Sequence, residues 1–264
     1  MPAAGTWPVF DRAFSLCLIK MKYCSGLMRA RNILCKRDNK EKSMTFFEVM
    51  QESFPILLRG TIVAIELMIV TLLVSLPLGM PLALGENSRI KPVKWLCNIY
   101  VFVFRGTPLL LQIFFVYYVF PIAWNIHIPE FPAAALAFIL NYAAYFAEIY
   151  RGGINSIDRG QYEAASSLGL SKLQTMFGII IPQMMRVVLP PVGNEIIVLV
   201  KDTALVSVIG VADIMKRTRE IQNREVSLAP YLVAAIIYLV ITLLLTIWLN
   251  KMEKHYSKYD EVGA

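Results

Sequence analysis

Five long apolar stretches alternate with polar segments along the chain. They run from about Ile56 to Leu84, Trp95 to Trp124, Phe131 to Tyr150, Ile179 to Val200 and Val226 to Asn250. A helix needs roughly 17–25 apolar residues to cross a hydrocarbon core of about 30 Å. Because hydrocarbon offers no partner to backbone N–H and C=O groups, each stretch must be helical. The pattern therefore predicts an all-α membrane protein with five transmembrane helices.

The composition agrees with this prediction and limits what else the chain contains. Of its 264 residues 57% are hydrophobic, and its mean hydropathy is +0.56. Soluble domains average about 45–50% apolar residues. One membrane domain with short tails accounts for the whole length, so a soluble catalytic domain has no room.

Basic residues in the short connections predict the orientation, because cytoplasmic loops carry an excess of Lys and Arg. Segments 89–94, 151–172 and 251–258 each hold three such residues, whereas 121–129 holds none. With five spans this places the N-terminus outside and the C-terminus in the cytoplasm. Segment 216–224 does not fit this orientation, because the topology places its four basic residues outside. We keep the topology, since three basic segments support it and one opposes it.

The net charge of +7 is concentrated at the N-terminus. Residues 1–43 hold nine Lys or Arg against three acidic residues, so they carry +6 of the total. A charge confined to one short segment does not indicate a nucleic-acid partner.

On the outer side of the membrane, the positive charge of residues 1–43 would oppose insertion of the first span. We therefore hypothesise that the native protein starts at Met44, that 1–43 are an extension and that 44–264 form the transmembrane domain. A cleaved leader is the weaker alternative, since the apolar run 14–19 is short.

The long connection 151–182 is the most structured of the polar segments. Ser156 or Asp158 is a candidate N-cap for a helix of about two turns, and Gly169 ends that helix. Ser171 or Lys172 then starts a second helix that ends before Pro182. By physical argument alone, this helix–Gly–helix elbow is either a coupling element for a soluble partner or an ordinary interfacial connector.

Several short motifs carry a family resemblance that covers roughly Ile56 to Lys254. The stretch EAASSLGL, continued by IIIP at Ile179–Pro182, resembles the EAA loop of ABC importer permeases. The surrounding motifs are similar to the polar amino acid permeases of histidine, glutamine and arginine uptake systems. Those motifs are FRGTPLLLQ (104–112), AEIYRGGINSI (147–157), GQYEAASSLGLS (160–171), LPPVGNE (189–195) and KDTALVSVI (201–209). Phe177 departs from the family, which often has Arg there, and we expect little consequence.

The resemblance implies a type I ABC importer permease, a transporter subunit rather than an enzyme, in the bacterial plasma (inner) membrane. Its expected partners are ABC ATPase subunits, a second permease subunit (self or sister), an extracytoplasmic substrate-binding protein and membrane lipid. ATP and Mg²⁺ are expected on the ATPase, and no cofactor or metal on this chain. Consistently, the sequence has no G-x-x-x-x-G-K-[ST] loop. The cytoplasmic coupling-helix loop lies between the third and fourth transmembrane helices. Its expected contacts with the ATPase are Gln161, Glu163, Ala164, Ala165, Gly169 and Leu170.

Polar residues within the spans are the candidates for a translocation path, because charge near the bilayer centre costs at least about 2.5–3.5 kcal/mol. These candidates are Glu66, Arg105, Gln112, Asn194, Glu195, Lys201 and Asp202. Glu148 and Arg151, three residues apart, are expected to pair locally. Pro190 and Pro191 are expected to break the fourth span and free carbonyl groups near Glu195.

A secondary amino acid transporter or channel that works without ATP is the alternative function. It would have a similar hydropathy profile. The absence of a visible internal repeat makes an inverted-repeat carrier less attractive.

Overall fold

A computed structural model describes residues 45–257, and every regular element among them is helical. The hypotheses about residues 1–43 and a native start at Met44 lie outside the described residues. In chain order the α-helices are α1 (Phe46–Glu86), α2 (Lys91–Gly106), α3 (Leu109–Phe114), α4 (Phe120–Trp124), α5 (Glu130–Ser156), α6 (Arg159–Ser167), α7 (Lys172–Thr175), α8 (Ile181–Asp202), α9 (Ile214–Glu225) and α10 (Ala229–Ser257). Two π-helical turns, Phe115–Val119 and Met176–Ile180, and a 3-10 segment, Thr203–Ile209, connect some of them.

All five predicted spans correspond to helical segments. Among the described residues, α1, α5 and α10 are long and apolar enough to cross a membrane alone. The pair formed by α2 and the α3–α4 segment qualifies together, as a span bent by 105°. Helix α8 corresponds to the fourth predicted span, and its 22 residues extend about 33 Å at 1.5 Å per residue. Four of these 22 residues are charged, a higher proportion than in the other spans, which makes α8 a candidate wall of a polar cavity.

Helix α5 lies at the centre of the packing. In its most apolar window 67% of residues are buried, against 28% in α1 and 22% in α10. Its buried face is rich in alanine, including Ala137, Ala143 and Ala147. Small side chains allow helix backbones to approach closely in a membrane. Helix α1 comes this close to α5 at Gly79, where an added Cβ would lie only 2.8 Å from Cβ of Phe146.

The second predicted span is not one helix but two segments that meet at a sharp bend. Helix α2 ends at Gly106, and Thr107 is extended, with φ −116° and ψ 143°. Proline disfavours the helical conformation in the residue before it, and Pro108 follows Thr107. Hydropathy alone could not reveal this break, because the apolar residues continue across it.

The prolines of the fourth span do not break it, so the prediction of a broken backbone near Glu195 was wrong. Helix α8 continues through both Pro190 and Pro191. Proline has a helical φ, and in a membrane helix neighbouring groups compensate for its missing N–H. The second helix of the elbow also does not end before Pro182, since α7 continues through the π-helical turn into α8. The wider π turn lies just before this proline and changes the hydrogen-bond register.

Candidate functional site

A cavity of about 500 Å³ opens where α2, α5 and α8 meet. Its wall includes the bend after α2, the middle of α5, the C-terminal half of α8 and the start of the 3-10 segment. The polar side chains among its lining residues are Arg105, Thr107, Asn141, Tyr142, Tyr145, Glu195 and Asp202. One basic and two acidic side chains therefore border the same space.

Arg105 forms the basic wall at the last turn of α2. Its Nη1 lies 3.2 Å from Oε2 of Glu148 in α5, and its guanidinium lies 5.6 Å from the ring centroid of Tyr145. Arg151 also pairs with Glu148, which confirms the predicted local pair. The sequence did not reveal that Arg105 shares this carboxylate. The side chain of Arg105 remains 40% exposed, so part of the guanidinium can reach the cavity.

Glu195 and Asp202 form the acidic wall on α8. They are seven residues apart, which is nearly two turns of helix and places them on one face. Tyr142 Oη donates a hydrogen bond of 2.9 Å to Oδ2 of Asp202. Within residues 45–257, Glu195 makes neither a hydrogen bond nor a salt bridge. It is half-buried.

Two amide side chains hold the bend after α2. Gln112 Nε2 donates to the carbonyl oxygen of Phe104 at 2.9 Å and to Oγ1 of Thr107 at 2.8 Å. Asn141 Nδ2 donates to the same Phe104 carbonyl and to Oε1 of Gln112, both at 3.0 Å. These bonds supply partners for carbonyl groups near the helix end. Gln112 thus supports the cavity from behind its wall.

The structure brings together some of the predicted path residues and separates others. Arg105, Glu195 and Asp202 line the cavity. Gln112 is half-buried behind this lining, and the other three candidates are exposed and lie outside it: Glu66, Asn194 and Lys201. Sequence reasoning missed the polar residues that α5 contributes, which are Asn141, Tyr142 and Tyr145. The available signal was their recurrence within five positions, 141–145, of an otherwise alanine-rich span.

The elbow has the predicted local geometry. Asp158 caps α6 by accepting a hydrogen bond from the Gly160 backbone N–H at 2.6 Å. Gly169 follows α6 with φ +73°, a conformation that side chains rarely adopt. Ser171 caps α7 through a capping box with Gln174. Of the two proposed N-caps of the first helix, Asp158 is therefore correct, and the second helix begins at Lys172 with Ser171 as its N-cap, within the predicted start.

Most of the residues expected to contact an ATPase are at the surface. Gln161, Glu163, Ala164, Gly169 and Leu170 are exposed. Ala165 differs, since only 1% of it is exposed and it packs within the chain itself.

An apolar surface on the elbow was not predicted from the sequence. The exposed fractions are 78% for Leu168, 72% for Leu173 and 59% for Phe177. We refer to these three side chains as the elbow patch. Exposed large apolar side chains that are flanked by polar residues are found at protein interaction sites. Phe177, which seemed inconsequential in the sequence, contributes to this surface.

Comparisons with known proteins identify the chain's relatives. Residues 75–258 match the family model described as a binding-protein-dependent transport system inner membrane component. The chain is 39% identical over 216 residues to the L-cystine transport system permease protein TcyB of Bacillus subtilis, covering 81% of this chain and 92% of that protein. It is 37% identical to the arginine transport system permease protein ArtQ of the same organism, covering 81% and 98%.

A solved structure has the same arrangement of helices. It is the crystal structure of an amino acid ABC transporter with histidines, which matches with a TM-score of 0.75 at 38% identity. The match covers 80% of this chain and 99% of that one.

Proposed function

This chain belongs to the family of inner membrane components of binding-protein-dependent transport systems, and from that premise we propose that it is the passage of an ATP-driven importer for a polar amino acid. In such importers ATP hydrolysis resides on separate subunits. The observation that carries the proposal is the cavity. It presents an arginine and two carboxylates between α2, α5 and α8, and of these α5 and the bent pair that includes α2 are long and apolar enough to cross a membrane.

The charges of the cavity suit the two charges that every amino acid carries. Arg105 has five N–H donors in a planar fork, and pairing with Glu148 leaves donors for a carboxylate. Glu195 and Asp202 can accept hydrogen bonds from an ammonium group. In a medium of low dielectric such charge-assisted bonds are stronger than in water. Relatives named for transport of L-cystine and arginine support an amino acid as the cargo.

The connectivity of the chain supports coupling between the elbow and the cavity. At one end the elbow joins α5, which carries Tyr142 and Glu148, and at the other it joins α8, which carries Glu195 and Asp202. The α5 and α8 sides of the cavity are therefore attached to the same surface segment. A partner that moves the elbow would shift α5 and α8 relative to each other.

We assign the elbow patch and the exposed residues beside it to docking of an ABC ATPase subunit. Two such subunits would act on two paired permeases, which are copies or sisters of this chain. ATP-driven closure would pull both elbows together and open the cavity outward to a binding protein. Hydrolysis would return it to the inward state. This scheme places the elbow in the cytoplasm, with the N-terminus outside and the C-terminus inside the bacterial inner membrane.

Reconstitution in proteoliposomes tests this function. The chain and its ATPase, with binding protein and ATP on the appropriate sides, should accumulate a labelled polar amino acid, whereas ADP should give none. A secondary transporter or channel would instead carry the amino acid without ATPase or ATP. That result would contradict the proposal.

Gly169→Val tests the coupling role of the elbow. At φ +73° a side chain costs about 1–2 kcal/mol, and a β-branched one more, so the bend should be displaced. We expect the variant to insert normally but to lose most ATP-driven uptake while the ATPase still hydrolyses ATP. Both rates are measured in proteoliposomes.

Gly178→Ala is the matched control for that variant. Gly178 lies in the following π turn, where an added Cβ meets nothing within 4 Å and φ is ordinary. It should transport normally. Normal uptake by Gly169→Val would contradict the coupling role.

A further inference from the structure

Glu86 is a buried carboxylate at the end of α1 that lies outside the lining of the cavity. Only 5% of the residue is exposed, and its Oε2 has no hydrogen-bond partner. Within residues 45–257 no arginine or lysine forms a salt bridge with it. The position is unfavourable for an anion, because the C-terminal end of a helix is electronegative and the last turn of α1 holds no basic residue. A buried carboxylate in such a place needs positive charge from other helices.

The network around Glu148 supplies that positive charge. The charged groups that act on Glu86 are Glu148 and Arg151 of α5 and Arg105 of α2. Arg151 holds Glu148 through two bonds, from Nε to Oε2 at 3.3 Å and from Nη2 to Oε1. Arg105 Nη1 lies 3.2 Å from the same Oε2. Two arginines therefore share one carboxylate, which leaves a net charge of +1 that Glu86 balances.

The two arginines compete for Glu148. Arg151 engages both of its oxygens, and Arg105 has only a share of one. Without Arg151, both oxygens would be available to Arg105, whose planar fork can bind a carboxylate through two parallel bonds. Arg105 would then be held more firmly against α5, and fewer of its donors would reach the cavity. The partner of Arg151 thus determines how far Arg105 faces the cavity.

Arg151 is well placed to exchange its partner for Glu86. It lies five residues before Ser156, where α5 ends, so the elbow follows it closely. Glu86 is the other carboxylate that acts on the charge of Arg151. The end of α1 is packed tightly on α2, since an added Cβ at Gly85 would collide with Sγ of Cys97. Movement of the elbow and of the end of α5 would therefore change the distance between Arg151 and Glu86.

We propose that Glu86 is a positioning residue for Arg105, which acts by taking Arg151 from Glu148 in one state of the transport cycle. In this structure Arg151 holds Glu148, and the side chain of Arg105 is 40% exposed. When the elbow moves the end of α5, Arg151 pairs with Glu86. Glu148 then draws Arg105 away from the cavity, which favours release of a bound carboxylate. This inference rests on the proposed function, since it states how movement at the elbow reaches the cavity.

A comparison of two nucleotide states tests the exchange directly in the unaltered chain. The complex with its ATPase subunits is placed in nanodiscs and imaged by cryo-electron microscopy, once without nucleotide and once trapped with ATP and orthovanadate. In one of the two states, a guanidinium nitrogen of Arg151 should lie about 2.7–2.9 Å from a carboxylate oxygen of Glu86, with Arg105 alone on Glu148. Arg151 bound to Glu148 in both states would overturn the proposal.

Glu86→Gln tests the consequence for transport. The change keeps the shape of the side chain and removes its charge, so Arg151 should stay with Glu148. The uptake rate in proteoliposomes should fall at least about tenfold. Binding of the same amino acid in nanodiscs should stay within about twofold of the native value, because Arg105 still faces the cavity. The probes are radiolabelled L-cystine and L-arginine, the cargoes named for two relatives.

This split between uptake and binding distinguishes positioning from a merely structural role. Loss of a structural contact would lower binding and the unfolding midpoint together with uptake, and that result would contradict the proposal. Glu86→Asp keeps the charge and should recover at least about half of the native uptake rate. Glu52→Gln is the matched control, since Glu52 is exposed on the same helix. It should transport normally.

A double variant tests whether Glu86 and Arg151 act together. Arg151→Gln removes the group that exchanges, so adding Glu86→Gln should slow uptake no further. Defects that multiply would show that the two residues act independently, which would overturn the exchange.

The outcomes separate this inference from the proposed function. Normal ATP-driven uptake by Glu86→Gln overturns the role of Glu86 and leaves the importer intact. Absence of ATP-driven uptake by the native complex overturns the proposed function, and the two nucleotide states still decide whether Arg151 changes its partner. The same comparison decides the question if Glu86→Gln fails to insert, since it needs no variant.

Discussion

Glycines at close contacts show most directly how single residues shape this protein. Gly60 lies in α1 against the backbone that begins α9, where an added Cβ would lie 2.8 Å from backbone atoms of Asp213 and Ile214. Asp213 is fully buried and caps α9 by accepting from the Lys216 backbone N–H at 2.9 Å. Backbone atoms tied into a cap cannot move aside easily. The contact therefore requires glycine for space rather than for its own φ.

Gly60→Ala is expected to destabilise the protein. Overpacking costs about 1–3 kcal/mol, which exceeds the gain of up to about 1 kcal/mol that alanine brings to a helix. The measurement is the thermal unfolding midpoint of the purified complex in nanodiscs.

Gly152→Ala is the comparison variant, for which we do not expect a lower unfolding midpoint. Gly152 is also within a helix, but an added Cβ there meets nothing within 4 Å. This change should leave the unfolding midpoint unchanged or raise it. Equal effects of the two substitutions would show that the Gly60 contact does not limit stability.

At the scale of elements, the bend between α2 and α3 has the largest consequence for the cavity. It turns the chain by 105° and places Arg105 at its inner side. Gln112 and Asn141 bind the Phe104 carbonyl at this point. The bend is thus held by side chains from the following segment and from α5, not by the local sequence alone.

Gln112→Leu tests this support. It removes the donor to Phe104 and Thr107 and the acceptor for Asn141, and each such hydrogen bond contributes about 0.5–1.5 kcal/mol. We expect a lower unfolding midpoint together with weaker amino acid binding, because Arg105 follows directly after Phe104. Both are measured on the nanodisc complex. Gln51→Leu, at an exposed position of α1, is the control and should change neither quantity. If Gln112→Leu also left both the unfolding midpoint and amino acid binding unchanged, the proposed support of the bend by Gln112 would be refuted.

The elements themselves were predictable to different degrees. Asp158, Gly169 and Ser171 act locally, so their caps and bend followed from residue type and spacing. Pro190 and Pro191 were misjudged because their effect depends on the helices packed around them. The break at Thr107–Pro108 was missed since apolar residues on both sides conceal it.

At the scale of the whole molecule, large apolar side chains cover the outside of the helices. In α10, for example, Leu239 is 69% exposed and Leu244 is 62% exposed. Such a surface is unfavourable in water and suits lipid or another membrane subunit. The basic residues of the polar segments predict on which side of the membrane each segment lies. Segment 216–224 is the one segment whose basic residues disagree with that prediction.

Cysteine labelling tests the orientation. In a chain whose own cysteines are replaced by serine, Ser166→Cys on the elbow should react with a membrane-impermeant thiol reagent only from the cytoplasmic side. Asn223→Cys on α9 should react only from outside. Both positions are exposed. Labelling of both from one side would contradict the five-span topology and agree with the basic residues of segment 216–224.

The sequence by itself determined the helical segments, the elbow with its caps and the family of transporters, because hydropathy, capping and motif spacing are properties of neighbouring residues. Only the tertiary structure decided which charges share the cavity. Arg105, Tyr142 and Asp202 belong to three different helices, and their meeting depends on how α2 and α8 pack against the small residues of α5. No local pattern records that packing, which is why Glu66 and Glu195 were equal candidates in the sequence and are separated in the fold.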